Sequence, residues 1–417
     1  VEALDVQQQL GFIGDPSGVG NRPVGGISVA GTEITVSTTP YELISTPSQL
    51  RLALPVLEAA PSLALDMEME NHCHLYGLYI ALIQLSTPDN RHYIIDPLAD
   101  IDLQPLGKIF SDPARQTILH DADFDRRAAA QVYGWKLHGI FDTKIAAQLC
   151  GHRKFGLGNL LAEYFNVTAN KRFQTMNWMK RPIPEEALSY AVGDTAYLHA
   201  LRDRLSARLS ELGRTAWAEE EFDCAERREM RAPESPLHHR IKRSSLLTPR
   251  QLAVLGALSD FRDQQARRIN RPLHFIMRNE IMLDLAKRSS LTLKDLRELR
   301  GVHPVLRQPR NLDRLLAAWH AGRQAPEEQH MARVRRPRSA PNYKLRLKAM
   351  QQWRAELALE FDLEPYLLLD NDVLTWCANH PGQAPGLEVA GLVRRWQRQV
   401  VWQRFAEKFE ITAPLPD

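Results

Sequence analysis

Four acidic residues and one tyrosine, spread over three short segments, have the types and settings that metal-assisted phosphoryl-ester chemistry requires. They are Asp66 and Glu68 in LALDMEME, Asp125 closing ILHDADFD, and Tyr190 with Asp194 in LSYAVGDTAYL. Carboxylate oxygens are the ligands that Mg²⁺ and Mn²⁺ prefer. A pair of such ions can clamp the attacking and leaving oxygens of an in-line displacement. Asp66 and Glu68 stand two apart in a strand-like run, so they share one face while Leu65, Met67 and Met69 point to the other. Two carboxylates on one face repel, and a divalent cation between them removes that penalty. A lone D-x-E has little specificity; the other two segments give it weight.

Each segment needs an element to present it. The string QTILH reads as a strand, followed by a helix through residues 125–133. Asp121 or Asp123 is the expected cap of that helix, which leaves Asp125 to face a cleft at the strand's carboxyl end. Tyr190 and Asp194 are an i, i+4 pair on one helix face. That helix opens with Pro-Ile-Pro-Glu-Glu, a start that suits its dipole, and Ala187, Ala191 and Ala196 predict close packing on a sheet. A phenol beside a carboxylate-held cation can orient water. Further strands are expected in SLALDMEM, IALIQLS and HYIIDPL, the last stopped by Pro97. Consecutive strands followed by strands alternating with helices predict an α/β domain with a mixed sheet. Ahead of it, residues 1–45 read as an extension with a short strand or hairpin near residues 34–36. Its glycine-rich stretch GDPSGVGNRPVGG lacks the following Lys-Ser/Thr of a P-loop.

Past Glu226 the strand signals vanish. Two helical stretches, 246–320 and 343–410, resemble one another at an offset of about 92 residues, with Arg262 over Arg354 and Ala266 over Ala358. The polar, basic, proline-bearing segment between them reads as a linker. Charge divides the chain at the same place. Residues 1–223 carry 19 Lys+Arg against 28 Asp+Glu, a balance of −9, and residues 224–417 carry 34 against 22, a balance of +12. A half able to hold cations is joined to a half able to hold polyanions. Four scattered cysteines without a C-x-x-C pair predict reduced thiols, no zinc ribbon and a cytoplasmic setting. No secretory leader is expected, and the longest apolar stretch, residues 76–85, is far short of the ~20 needed to cross a bilayer.

Taken together, residues 48–215 resemble the exonuclease domain of the DEDD superfamily in its tyrosine-bearing subgroup, and the whole chain resembles the ribonuclease D family. Supporting stretches are LIQLS, FDTKIAA, LGNLLAEYFNV and NWMKRPI. The run HHRIKRSSLLTPRQLAVLGALSDFRDQQARRINRP is similar to the start of an HRDC domain, and 343–410 to a second, more divergent copy. The first acidic motif departs from the family pattern in continuing Met-Glu-Asn-His, and Asn177 stands where Asp is more usual.

The resemblance implies a ribonuclease H-like mixed sheet flanked by helices, followed by two all-α helical domains. The expected divisions are an extension at 1–45, the exonuclease at 46–223, HRDC domains at 240–321 and 343–412, and a linker at 322–342. It implies a 3′→5′ exoribonuclease releasing nucleoside 5′-monophosphates, with two divalent ions (Mg²⁺ or Mn²⁺) held by Asp66, Glu68, Asp125 and Asp194. Asp66 would be shared between the ions, and Tyr190 would orient the attacking water. The implied partners are single-stranded RNA 3′ ends such as those of tRNA precursors; a monomer is expected. A 3′→5′ DNA exonuclease is the alternative within the same chemistry, since carboxylates and cations do not read a 2′-hydroxyl. A non-catalytic RNA-binding scaffold is a third, but it would have no need of the four acids and the tyrosine.

Overall fold

The computed structural model describes residues 39–168, 171–228, 235–330, 339–411 and 415. The strand expected near residues 34–36 and the middle of the linker lie outside them. Six strands form one mixed sheet in the order β1-β4-β3-β2-β5-β6. They are β1 Glu42–Ile44, β2 Ser62–Asn71, β3 Leu78–Ser86, β4 His92–Ile95, β5 Gln116–Leu119 and β6 Ile140–Asp142. β3 is antiparallel to both β2 and β4, while β1–β4, β2–β5 and β5–β6 pair in parallel. β5 pairs with β2 only at residues 62–64, so from Asp66 onward β2 pairs with β3 on one side and with no strand on the other. Ligand clefts in α/β sheets form at such ends.

Alternation along β2 sorts its two faces. Leu63, Leu65 and Met67 are buried with Ile83 and Leu85 beneath the helices α1 Pro47–Ala59, α2 Gln104–Phe110 and α3 Asp123–Tyr133. The opposite face, which carries Ala64, Leu82 and Ile94, is covered by α4 Thr143–Leu149, α6 Glu185–Ala196 and α7 Leu198–Glu211, with α5 Leu157–Phe165 alongside. Ala187 and Ala191 are fully buried against it, as their small size predicts, while Ala196 is half-buried. Gly139 enters β6 with φ +61°, and a Cβ there would stand 2.2 Å from the Arg115 carbonyl oxygen, so only glycine fits.

The remainder is helical: α8 Thr215–Arg227, α9 Pro249–Ile269, α10 Leu273–Ile276, α11 Asn279–Lys287, α12 Leu293–Arg297 and α13 Pro309–Gln324, then α14 Tyr343–Glu360, α15 Pro365–Leu368, α16 Asn371–Asn379 and short helices to Lys408. α9 starts on a capping box between Thr248 and Gln251 with Pro249 in its first turn, and stops at left-handed Asn270. The offset seen in the sequence recurs in bonding. Buried Arg262 donates to the Met277 carbonyl and to Asn279 Oδ1; buried Arg354 donates to the Leu369 carbonyl and to Asn371 Oδ1. Every partner in the second set lies 92 residues after its counterpart.

Both helical units return to the α/β domain, at different places. The Tyr76 hydroxyl, on the loop from β2 to β3, donates to Asp263 at 2.6 Å, and Tyr76 N–H donates to Asn270 Oδ1. On the other side Trp217 of α8 stacks on Trp396 at 4.4 Å, and Glu220 accepts from the Arg395 and Trp396 backbone N–H groups. One apolar core runs from Ile118 and Phe141 of the sheet through Leu201 to Met350, Leu357 and Trp402. Two boundaries move. The sheet begins at Glu42, inside the stretch read as an extension. α13 runs to Gln324, and Glu328 N–H still donates to the Pro249 carbonyl, so the segment read as a linker starts packed on the first helical unit.

Candidate active site

Asp66 and Glu68 leave the same face of β2, and α6 lies across it. Ligand oxygens of Asp66, Glu68 and Asp194 fall within 4.8 Å of one another. Asp125, in the first turn of α3, is buried; it lies outside that triplet, yet the charge of Asp66 helps to raise its pKa. Its Oδ1 has no hydrogen-bond partner, an expensive condition for a buried carboxylate oxygen.

The electrostatics report the crowding. Burial first, then the charges of Asp66, Asp194 and Asp125, push the Glu68 carboxyl up to about 9. Burial lifts Asp66 to about 6, against a backbone hydrogen bond from Met67. Asp125 and Asp194 are held well above the usual carboxylate range by burial and by the charge of Asp66. Carboxyls forced together with an unsatisfied oxygen are a donor set that fits hard divalent cations, which would relieve both the repulsion and the orphaned atom. Tyr190 packs its ring against Phe173 and Trp178, with centroids 5.8 and 6.4 Å away, and it lies near enough to Asp194 for each to shift the other's pKa. Burial and the charges of Asp194, Glu68 and Asp66 raise its pKa, so the phenol stays neutral and serves as a hydrogen-bonding group. Trp178 is set by its neighbour Arg181, whose guanidinium forks onto Asp96 at 2.7 Å twice and also donates to the Ala81 and Trp178 carbonyls.

The cap of α3 differs from expectation. Neither Asp121 nor Asp123 caps it: α3 begins at Asp123 behind Ala122 with no side-chain cap bond. Asp121 takes a left-handed φ of 64° and pairs with Lys144, and Asp123 pairs with Arg127 at 2.5 Å. The donors ahead of the helix go instead to buried Asp142 at the end of β6, which accepts from Asp121 N–H and Ala122 N–H and also caps α4 through Lys144 N–H. One carboxylate thus holds two helix starts and sets the turn that delivers Asp125.

Comparison with known proteins gives the lineage. A family described as 3′-5′ exonuclease matches residues 41–210, and one described as HRDC domain matches residues 251–318. Ribonuclease D of Escherichia coli strain K12 is 27% identical over 369 residues, spanning 87% of this chain and 96% of that protein. Ribonuclease D of Desulfotalea psychrophila is 30% identical over 247 residues, or 58% of this chain and 66% of that one. The crystal structure of E. coli RNase D, described as an exoribonuclease involved in structured RNA processing, superimposes with a TM-score of 0.67 at 26% identity, covering 89% of this chain and 99% of that one. The chain belongs to the ribonuclease D family. It carries a DEDD-type 3′→5′ exonuclease domain followed by an HRDC domain, and the family's chemistry is 3′→5′ exoribonucleolysis.

Within this family member, three of the acids singled out by sequence meet in one triplet, with Tyr190 beside it and Asp125 behind. Two carboxylates that organise the site were missed. Asp142 is one. The other is Glu70, two residues past Glu68 and buried beyond a register shift in β2, where it accepts from the Cys73, His74 and Leu75 N–H groups. It shapes the loop whose Tyr76 contacts the HRDC domain. The departure Met-Glu-Asn-His marked the place without revealing that role.

Proposed function

We propose that the chain is a two-metal-ion 3′→5′ exoribonuclease of the tyrosine-bearing type, acting on single-stranded 3′ ends of stable RNA such as tRNA precursors and releasing nucleoside 5′-monophosphates. The triplet of Asp66, Glu68 and Asp194 beside Tyr190 carries this reading. Asp66, Glu68 and Asp194 would hold one cation, and Asp66 with Asp125, whose Oδ1 has no hydrogen-bond partner, would hold a second. When bound, divalent ions would supply a nucleophile near neutral pH and neutralise charge on the leaving 3′ oxygen. Tyr190, neutral and anchored between Phe173 and Trp178, orients the attacking water. Mg²⁺ and Mn²⁺ both suit an all-carboxylate set.

The repeated arginine clamp supports reading residues 343–412 as a second, divergent HRDC copy after the first at 240–321, both serving the exonuclease at 46–223. The first copy, with 17 Lys+Arg against 7 Asp+Glu over residues 240–321, offers the basic surface that an RNA backbone needs, while the second is balanced at 9 against 9. A monomer in the cytoplasm is the matching setting. All four cysteines are free, and among the described residues no helix is long and apolar enough to cross a membrane.

The test incubates the protein with 3′-labelled RNA and DNA strands of matched sequence, with Mg²⁺, Mn²⁺ or chelator. Labelled mononucleotide released first, from RNA in preference to DNA and only with metal, is expected. Asp66→Asn should bring turnover below a tenth of wild type while leaving RNA binding near normal. Equal rates on DNA would favour the DNA-exonuclease reading, and turnover by Asp66→Asn close to wild type would remove Asp66 from its role.

A further inference from the structure

A second cluster of ligand atoms lies away from the catalytic cleft, where the chain enters and leaves the HRDC domain. We propose that His238, His239 and Glu328 form a binding site for a transition-metal ion of the Zn²⁺ class. His238 Nε2 stands 2.8 and 2.9 Å from the two Glu328 carboxylate oxygens, and His239 Nε2 stands 2.6 Å from Oε1. These three ligand atoms lie within 4.8 Å of one another. Two imidazole nitrogens with one carboxylate oxygen are a donor set suited to Zn²⁺ and poorly suited to Mg²⁺ or Ca²⁺.

A tetrahedral Zn²⁺ with bonds of about 2.0–2.2 Å keeps its ligand atoms roughly 3.3–3.5 Å apart. The present spacings of 2.6–2.9 Å therefore need to open by about 0.4–0.9 Å, which small side-chain rotations supply. Space is available: His238 and Glu328 border an open groove of about 500 Å³ whose lining also includes the Asp260 carboxylate. Gly256 of α9 leaves that room, since a Cβ there would lie 3.2 Å from His238 Nε2 and 3.4 Å from Glu328 Oε2.

The position explains what such an ion would do. His238 and His239 precede α9, while Glu328 follows α13, about ninety residues on. The same two chain ends are already stitched by Glu328 N–H to the Pro249 carbonyl and by His330 Nε2 to the Leu247 carbonyl at 2.7 Å. A bound ion turns this seam into a coordinate cross-link that locks the entry and exit of the HRDC domain, independent of the catalytic carboxylates.

The experiment uses tag-free, full-length protein stripped with chelator, held in excess Mg²⁺ to occupy the carboxylate cleft, and titrated with ZnCl₂ by calorimetry with thermal melts alongside. His239→Gln keeps a hydrogen-bond donor facing Glu328 but is a poor zinc ligand; Glu328→Gln keeps an acceptor and loses the anion. Each variant should bind one Zn²⁺ fewer per chain, or bind it at least about tenfold more weakly, and should lose the zinc-induced rise in Tm that wild type shows. The metal-free Tm and the Mg²⁺-supported nuclease rate should stay close to wild type. Should a variant fail to fold, Cu²⁺ bound to wild type decides the matter by electron paramagnetic resonance, where coupling to two imidazole nitrogens is expected. Equal Zn²⁺ stoichiometry and affinity in wild type and variants, or Cu²⁺ with oxygen ligands alone, would overturn the proposal and leave the trio as a hydrogen-bonded clasp.

Discussion

Tyr190→Phe removes one hydroxyl and leaves the ring on Phe173 and Trp178. If that hydroxyl orients the attacking water, single-turnover kinetics at saturating RNA should show a fall of roughly 10²–10³-fold, about 3–4 kcal/mol of transition-state stabilisation, with RNA affinity unchanged. An unaltered rate would make Tyr190 a packing residue. At this scale the sequence was informative for a physical reason. Asp66, Glu68 and the Tyr190–Asp194 pair follow strand and helix periods, so their shared faces can be read from spacing alone. Asp142 and Glu70 could not be found that way. The partners of Asp142 are backbone N–H groups about twenty residues away, and Glu70, already past a register shift in β2, accepts from N–H groups of the loop that follows it. Asp121 and Asp123 satisfy the local rule for a helix cap, whereas the carboxylate that takes up those donors arrives from a neighbouring strand.

Among the elements, the clearest internal test is the arginine that each helical unit buries. Arg262→Met and Arg354→Met each strip donors from a carbonyl and an asparagine at matching positions. Loss of buried charged hydrogen bonds costs about 1–3 kcal/mol, and chemical denaturation should give similar losses for both variants if the units are copies of one module. A large loss at one site and none at the other would contradict the repeat. The repeat was visible in sequence because it rests on the period of long helices. The strands β1 and β6 were not, since three residues are too few to establish alternation, and each is held by its sheet neighbour. The Trp217–Trp396 stack was equally hidden, as nothing local joins residues so far apart in sequence.

For the whole molecule, charge sets the division of labour: a balance of −9 over residues 1–223 against +12 beyond them. Cutting the chain there would tear the core shared by the sheet and the second helical unit, so the full chain is the proper subject. Lys294, Arg297 and Arg300 are exposed around α12. Changing all three to Gln should flatten the log–log dependence of RNA affinity on salt by about 0.7 for each phosphate no longer neutralised, with the rate at saturating RNA kept. An identical slope would mean that this part of the basic surface does not meet the backbone. Every catalytic role assigned above depends on carboxylates that hold divalent ions, and anomalous diffraction from crystals soaked in Mn²⁺ tests that most directly. Two manganese peaks are predicted, one among Asp66, Glu68 and Asp194 and one between Asp66 and Asp125. Manganese bound elsewhere, with none at Asp66, would contradict it.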